Sequence, residues 1–281
     1  MKGPPAMTVK FSLAHLTVLG TTPLELIRIA ADSGYDYASV RMTAVAPGEQ
    51  VTSLVGNREM VHRVSKLLHD TGVQVLDVEL ARLGPDDEPE KYLGVLEAAA
   101  AIGARHVLAQ LPDPDRDRAI DRFGRLCDRA FEFGLTVDLE FPSWSEIGDL
   151  EAAAAVVAAV DRSNAGILVD TLHFFRSESS IAQLVALPPQ WFRFVQLCDG
   201  PADSAPTIEG VIHTARAARS LPGYGHLPLG ELLRSLPAGP YSLEVPNDVL
   251  RGELGTTEYA RLVLATAREV VAGCGLPAMA R

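Results

Sequence analysis

Four oxygen-bearing side chains stand at the ends of four consecutive apolar runs in the second half of the chain. Thr136-Val137-Asp138-Leu139-Glu140 ends in Glu140, and Gly166-Ile167-Leu168-Val169-Asp170 ends in Asp170. The run from Phe192 to Asp199 carries Gln196, and Tyr241-Ser242-Leu243-Glu244 carries Glu244. Taken singly, each has an ordinary structural use. Glu140 can pair with an arginine, Asp170 can cap a helix, Gln196 can satisfy buried backbone and Glu244 can open a loop. Four in succession at the same place along their runs point to a shared site. Three carboxylates and one amide oxygen repel one another when brought together, and a divalent ion such as Mn²⁺, Mg²⁺ or Co²⁺ relieves that repulsion. The expected cofactor is one such ion, held by Glu140, Asp170, Gln196 and Glu244.

Other residues fall beside these ends. His173, three residues after Asp170, is a candidate for substrate contact or proton donation near neutral pH. Asp199 either orients a substrate hydroxyl or starts the turn at Gly200-Pro201. Arg219 precedes Leu221-Pro222-Gly223-Tyr224-Gly225, a loop expected at the mouth of the site, where an arginine recognises a carboxylate or phosphate or makes a surface ion pair. In the first half, His15, Arg41, Glu79 and Gln110 end comparable runs and are candidates for the substrate side of a pocket. Glu79 is either an additional acid or base or a solvated strand end.

What positions these residues is a repeated unit: a short apolar run, a polar turn, then an Ala/Leu/Arg/Glu stretch of helical period. The runs are Val9–Ala14, Tyr37–Arg41, Val73–Val78, Arg105–Ala109, Thr136–Glu140, Gly166–Asp170, Phe192–Leu197 and Pro240–Glu244. Helices are expected over Pro23–Ser33, Asn57–Thr71, Glu88–Ile102, Arg116–Phe133, Leu150–Val160, Ser179–Ala186, Leu229–Ser235 and Thr257–Ala272. Gly34, Gly72, Gly103 and Gly134 punctuate helix ends, and Thr22-Pro23 and Glu88-Pro89 mark starts. Eight β/α units in one chain of this length fit a single-domain α/β fold, the (β/α)8 TIM barrel, over residues 9–281, after a loose tail at 1–8. The rival is an open doubly wound sheet, but no GxGxxG follows the first run and no Walker motif is present. In a barrel the ends of all strands meet at one mouth, so Glu140, Asp170, Gln196 and Glu244 converge despite their separation in sequence.

Composition narrows the function classes. The 281 residues are 47% hydrophobic and 22% charged, which excludes a disordered chain. With 25 Lys and Arg against 36 Asp and Glu, the net charge of −11 lacks the footprint of a nucleic-acid binder. No charge-free apolar stretch of about 18 residues suggests a membrane span, and Met1–Met7 has no signal-like apolar core. Three scattered cysteines suit a reducing compartment. A cytoplasmic protein is expected, with a small polyhydroxylated substrate as partner and self-association left open.

Asp138-Leu139-Glu140-Phe141, Val169-Asp170-Thr171-Leu172-His173, Val195-Gln196-Leu197-Cys198-Asp199-Gly200, Leu221–Gly225 and Ser242-Leu243-Glu244-Val245 resemble the xylose isomerase-like TIM-barrel superfamily of sugar isomerases, epimerases and related barrels. The resemblance implies a metal held by Glu140, Asp170, Gln196 and Glu244. It also implies acid/base work by Glu140 and Glu244, with His173 handling protons, and chemistry that begins with proton abstraction beside a carbonyl. Gln196 stands where sugar epimerases carry His, and together with Leu243-Glu244-Val245-Pro246-Asn247 is similar to bacterial 3-dehydroshikimate dehydratases. Tyr224 replaces the glutamate usual in the family's Pro-Gly-Glu-Gly loop. The first expectation is a metal-dependent isomerase or epimerase of a sugar or polyol-like keto compound, and the second is a dehydratase. An endonuclease is disfavoured by charge, and a non-catalytic ligand-binding barrel is the reading from another class.

Overall fold

The computed structural model describes residues 9–45 and 48–275; the tail expected at 1–8 lies outside them. Eight parallel strands close into a barrel in chain order: β1 (Phe11–Ala14), β2 (Tyr37–Arg41), β3 (Gln74–Arg82), β4 (His106–Gln110), β5 (Thr136–Glu140), β6 (Ala165–Asp170), β7 (Val195–Leu197) and β8 (Tyr241–Leu243). Closure is explicit in the pairing of β1 with β8, Phe11 against Tyr241 and Leu13 against Leu243, and this rules out the open sheet. No helix of the described residues is long and apolar enough to cross a membrane.

The helices are α1 (Pro23–Ser33), α2 (Arg58–Thr71), α3 (Leu93–Ala101), α4 (Arg116–Glu132), α5 (Leu150–Val160), α6 (Thr171–Arg176), α7 (Ile181–Ala186), α8 (Ile208–Ala217), α9 (Leu229–Ser235), α10 (Asp248–Leu254) and α11 (Thr256–Gly273). Thr22 and Glu25 form a reciprocal capping box at the start of α1, and Gly34 ends that helix at φ 86°, a conformation costly for other residues. The sequence signal at Glu88-Pro89 opens a 3₁₀ turn, Pro89–Tyr92, instead of an α-helix. There the Tyr92 hydroxyl accepts from the Arg82 amide and donates to its carbonyl, tying the turn to the end of β3. Three short helices, α6, α8 and α10, fall in segments where no helix was expected. Each is begun by a side-chain cap, from Asp170, Thr207 and Asn247 respectively.

Strand alternation divides the residues into two sets. Leu13, Val40, Val107, Val137, Leu139, Ile167, Val169, Leu197 and Leu243 join the helices in the main apolar core. The opposite set fills the barrel. Its apolar members Tyr37, Leu76, Leu80, Leu108, Leu168 and Phe194 form a second cluster. Its polar members bond one another: Ser12 with Ser39 at 2.9 Å, Ser39 with Ser242 at 3.1 Å, and Ser39 with Asp77. On the same face of β5, Thr136, Asp138 and Glu140 succeed one another. Asp138 is fully buried and accepts from Thr136 and from Arg193 at 2.9 Å. Its carboxyl is held below the usual range: burial acts to raise it, but the hydrogen bond and charge of His106 and the Arg193 guanidinium prevail.

Gly166 on β6 makes that ion pair possible. A Cβ there would lie 2.0 Å from Arg193 Nη1 and 2.5 Å from Asp138 Oδ1. Gly166→Ala is therefore expected to separate Asp138 from Arg193, leaving a buried charge unpaired at a cost of about 3 kcal/mol. Thermal unfolding should show a Tm lower by about 5–10 °C. An unchanged Tm would mean that the strand can shift around the methyl group.

Candidate active site

The strand ends open into a cavity of about 450 Å³, lined among others by Arg41, Glu140, His173, Arg216, Arg219 and Glu244. Glu140 is the last residue of β5 and Asp170 the last of β6, where it is also the N-cap of α6: its Oδ1 accepts from the backbone N–H groups of Leu172 and His173. This cap turns the chain so that His173, one helical turn on, faces back to Glu140, with Nε2 3.8 Å from Oε1. One ligand atom each from Glu140, Asp170 and His173 lie within 4.8 Å of one another. Gln196 pairs with Asp170 across β6 and β7, and its Nε2 donates to Glu244 Oε1 at 3.0 Å. The four expected residues all stand at one end of the barrel, but the carboxylates and imidazole that come within 4.8 Å of one another are those of Glu140, Asp170 and His173, and Glu244 is not in that group.

Arg219 ties this group together. It is 2% exposed, and its guanidinium donates to Asp170 Oδ2 at 2.5 Å and Glu244 Oε2 at 2.8 Å. Its Nε donates to the Ala215 carbonyl. The surface ion pair weighed from sequence is therefore a buried one. Asp170 titrates below the ordinary carboxylate range because Arg219, His173 and the α6 amides outweigh the opposing effect of burial. Glu244 goes the other way: burial raises it well above that range despite Arg219, with Glu79, Asp170 and Glu140 adding repulsion. Glu140 is pushed up to about 7 by burial and then by Asp170, against a hydrogen bond from Gln110 at 2.5 Å. Burial lowers His173 to about 4, so its ring is neutral at physiological pH. The ring also meets Trp144 edge-on at 4.8 Å.

The remaining expected residues separate. Arg41 lines the cavity and pairs with Glu79 at 3.0 Å and Glu49 at 2.9 Å. Glu79 is completely buried, not a solvated strand end, and stands behind Arg41 outside the cavity lining. His15 is also behind the wall: its Nε2 meets the Thr21 carbonyl at 2.9 Å and its Nδ1 accepts from the Arg41 amide. Burial lowers its pKa to about 4. Asp199 does not line the cavity. Both its oxygens accept backbone N–H groups, from Gly200, Gly223 and Leu227, so it shapes the loop beyond Arg219, the second of the two roles weighed for it. Among the lining residues not anticipated are the charged Glu49, Arg82, Glu146 and Arg216, together with Trp144. Arg216 precedes Arg219 by three residues, the spacing of one helical turn, and that was the available signal.

The donors fit a divalent cation on their chemistry. Gln196 Oε1 and His173 Nδ1 are buried and have no hydrogen-bond partner, in a site that is otherwise densely paired. Carboxylates, an amide oxygen and a neutral imidazole together form a ligand set for a hard or borderline ion.

Comparison with known proteins agrees with this architecture. The chain is 30% identical over 159 residues to a 3-dehydroshikimate dehydratase of Pseudomonas aeruginosa. That match takes in 55% of this chain and 23% of the relative, so the chain spans under a quarter of that protein. Among solved structures it is similar to an "IOLI protein with a binding zinc atom", with TM-score 0.78 and 18% identity over 96% of this chain and 100% of the other. It is also similar to a xylose isomerase domain protein from Alicyclobacillus acidocaldarius subsp. acidocaldarius, with TM-score 0.75 and 23% identity over 95% and 100%. Residues 27–266 match the family described as "Xylose isomerase-like TIM barrel", and the chain belongs to that family.

Proposed function

We propose that this barrel is a divalent-metal-dependent enzyme that removes a proton beside the carbonyl of an anionic, polyhydroxylated keto compound and eliminates a neighbouring hydroxyl as water. The observation that carries the anionic substrate is Arg216. It is half-buried at the end of α8, lines the cavity, and has no ion-pair or hydrogen-bond partner among the described residues. Burial, followed by the like charges of Arg41 and Arg82, lowers its pKa. A partly dehydrated guanidinium facing a cavity is stabilised by an entering carboxylate or phosphate, to which it offers two parallel hydrogen bonds. A neutral ketohexose offers nothing equivalent. This favours the dehydratase, the second expectation from sequence, and the partial relative that is a 3-dehydroshikimate dehydratase supports the same choice.

Glu140, Asp170, Gln196 and Glu244 would hold a divalent ion, which would supply positive charge to stabilise the negative charge that develops on a carbonyl oxygen. Glu140 Oε1, the oxygen that Gln110 leaves free, is the atom through which this residue would meet the ion or exchange a proton. In the metal-free protein burial and Asp170 push its pKa up to about 7, and a cation held beside it would lower it again. His173, neutral and 3.8 Å away, is the next group able to receive that proton at Nε2. Glu244 enters the cavity from a strand three places around the barrel, and a proton from that side completes the departing water. The same pair of glutamates suits isomerisation, in which the proton returns to a neighbouring carbon, so a metal-dependent sugar isomerase or epimerase is the second reading.

Incubating Mn²⁺-loaded protein in D2O with 3-dehydroshikimate and, separately, with neutral ketohexoses distinguishes the two. A new aromatic absorbance from the first compound is expected. Deuterium appearing in an isomerised ketohexose, with no change in the keto acid, would replace the lyase by the isomerase. Arg216→Gln should raise KM for the anionic substrate by about 10- to 100-fold while kcat stays within a few-fold, the loss of about 1.4–2.8 kcal/mol of binding. An unchanged KM would remove Arg216 from substrate recognition.

The ionisation of Glu140 sets a pH dependence in the metal-free protein. Its folded pKa of about 7 lies above the reference value of 4.5, so the folded state binds more protons between those values. Stability from this group is therefore full below pH 4.5 and is lost as pH rises through 7, on the order of 3 kcal/mol in total. Tm measured across that window should fall less steeply in Glu140→Gln than in the unsubstituted protein. Parallel slopes would show that Glu140 is ionised throughout.

A further inference from the structure

We propose that Arg219 is the resident counter-cation of the metal site: it holds Asp170 and Glu244 before the ion arrives, releases Asp170 as the ion binds, and so sets the metal affinity. The proposal rests on the metal-dependent reading given above. The atoms of the donor set divide into two groups. Gln196 Oε1 is buried without a partner, and Glu140 Oε1 lies 3.8 Å from His173 Nε2 and accepts no hydrogen bond among the described residues. Asp170 is different. Its Oδ1 is committed to two backbone N–H groups at 2.8 and 3.1 Å, so Oδ2 is the atom it has left for an ion. That atom is the one Arg219 Nη1 holds at 2.5 Å. Glu244 is likewise occupied at both oxygens, by Gln196 at 3.0 Å and Arg219 at 2.8 Å. Half of the set is open and half is latched by a single side chain.

A divalent ion on Asp170 Oδ2 and a guanidinium on the same oxygen would be two cations at contact distance, in a site almost closed to solvent, where their repulsion is weakly screened. The guanidinium also donates from Nε to the Ala215 carbonyl and lies 3.3 Å from Cys198 Sγ, so its release breaks these side-chain contacts as well as the ion pair. The backbone around it is fixed: the Arg219 amide donates to the Pro246 carbonyl, its carbonyl accepts from Asn247 Nδ2, and the flanking residues bridge to Asn247 and Asp199. Exchange is therefore a side-chain event, with no strand or loop displaced. Arg219 already lines the cavity beside Arg216, so the released guanidinium turns toward the space that an anionic substrate enters. Metal binding then improves anion binding, and by linkage an anion in the cavity tightens the metal by the same factor.

Titration of Mn²⁺ into the protein by calorimetry, with quenching of Trp144 fluorescence as a second readout, tests this. Arg219→Gln should bind Mn²⁺ at least tenfold more tightly than the unsubstituted protein. Arg219→Lys, which keeps the charge and loses the two-pronged contact, should fall between them. Equal or weaker binding by Arg219→Gln overturns the proposal. Should that variant fail to fold, a crystal structure of the Mn²⁺-loaded unsubstituted protein decides: Arg219 beyond hydrogen-bond reach of Asp170 Oδ2 is the expected result, and an intact ion pair beside bound Mn²⁺ overturns it. Mn²⁺ uptake by Arg219→Gln alone would support the latch in its strongest form. Absence of uptake by every form would remove the metal-dependent reading, and this proposal with it. Uptake unaffected by Arg219 removes this proposal and leaves that reading standing.

Discussion

Charge balance in a dry barrel mouth governs the rest of the structure. Four carboxylates, Glu79, Glu140, Asp170 and Glu244, are buried at the strand ends, against two buried guanidinium groups there, Arg41 and Arg219. With Glu49, whose side chain is buried against Arg41, the carboxylates outnumber the guanidinium groups. A protein can meet such a deficit by protonating acids, by hydrogen bonding the ionised forms, or by taking up a cation. All three responses are visible. Burial raises Glu79, Glu140 and Glu244, the α6 amides and Arg219 keep Asp170 ionised, and a set of partnerless donor atoms remains for an ion.

Beneath this layer the barrel interior solves the same problem without an ion. Asp138 sits two residues below Glu140 on the same face of β5 and is equally buried, yet Arg193 and Thr136 satisfy it and His106 lies 3.4 Å away. The two carboxylates differ in what surrounds them, not in their position in an element. Arg193 reaches Asp138 across the space that a side chain at Gly166 would fill. Glu140 has no such partner, and its charge is left for the site to use.

Much of this arrangement was legible in the amino-acid sequence, for reasons that can be located. Strands with two buried faces are continuous apolar runs, so a terminal Glu140, Asp170, Gln196 or Glu244 stood out against Val, Ile and Leu. Side-chain caps open α1 and α5, whose bounds match the expected ones to the residue, and α9 matches as well without such a cap. The depth of side chains was not legible. Glu79 and Arg219 read as solvated because charge suggests exposure, whereas each is buried against a partner distant in sequence, Arg41 and Asp170. Asp199 and His15 carry suitable functional groups at suitable places, but loop backbone consumes their hydrogen-bonding capacity. Arg216 escaped because its meaning lies in the absence of a partner, which only three-dimensional neighbours reveal. The helices α6, α8 and α10 escaped because they are short, at six, ten and seven residues, and depend on a single cap more than on a repeating apolar face.

The arginines extend the charge argument from the ion to the substrate. Arg41 is neutralised by Glu79 and Glu49, and Arg219 by Asp170 and Glu244, so neither has charge to spare while those pairs hold. Arg216 has no such pair, and the like charges of Arg41 and Arg82 bear on it. Carboxylates therefore gather on one side of the cavity, while the other holds a guanidinium with no ion pair among the described residues. A ligand that presents oxygen atoms to the carboxylate side and a carboxylate or phosphate to the arginine side satisfies both at once. Shape alone would admit many polyhydroxylated compounds to a space of about 450 Å³. Unlike charges at its two ends fix which way round a substrate lies, and so which of its carbons faces Glu140.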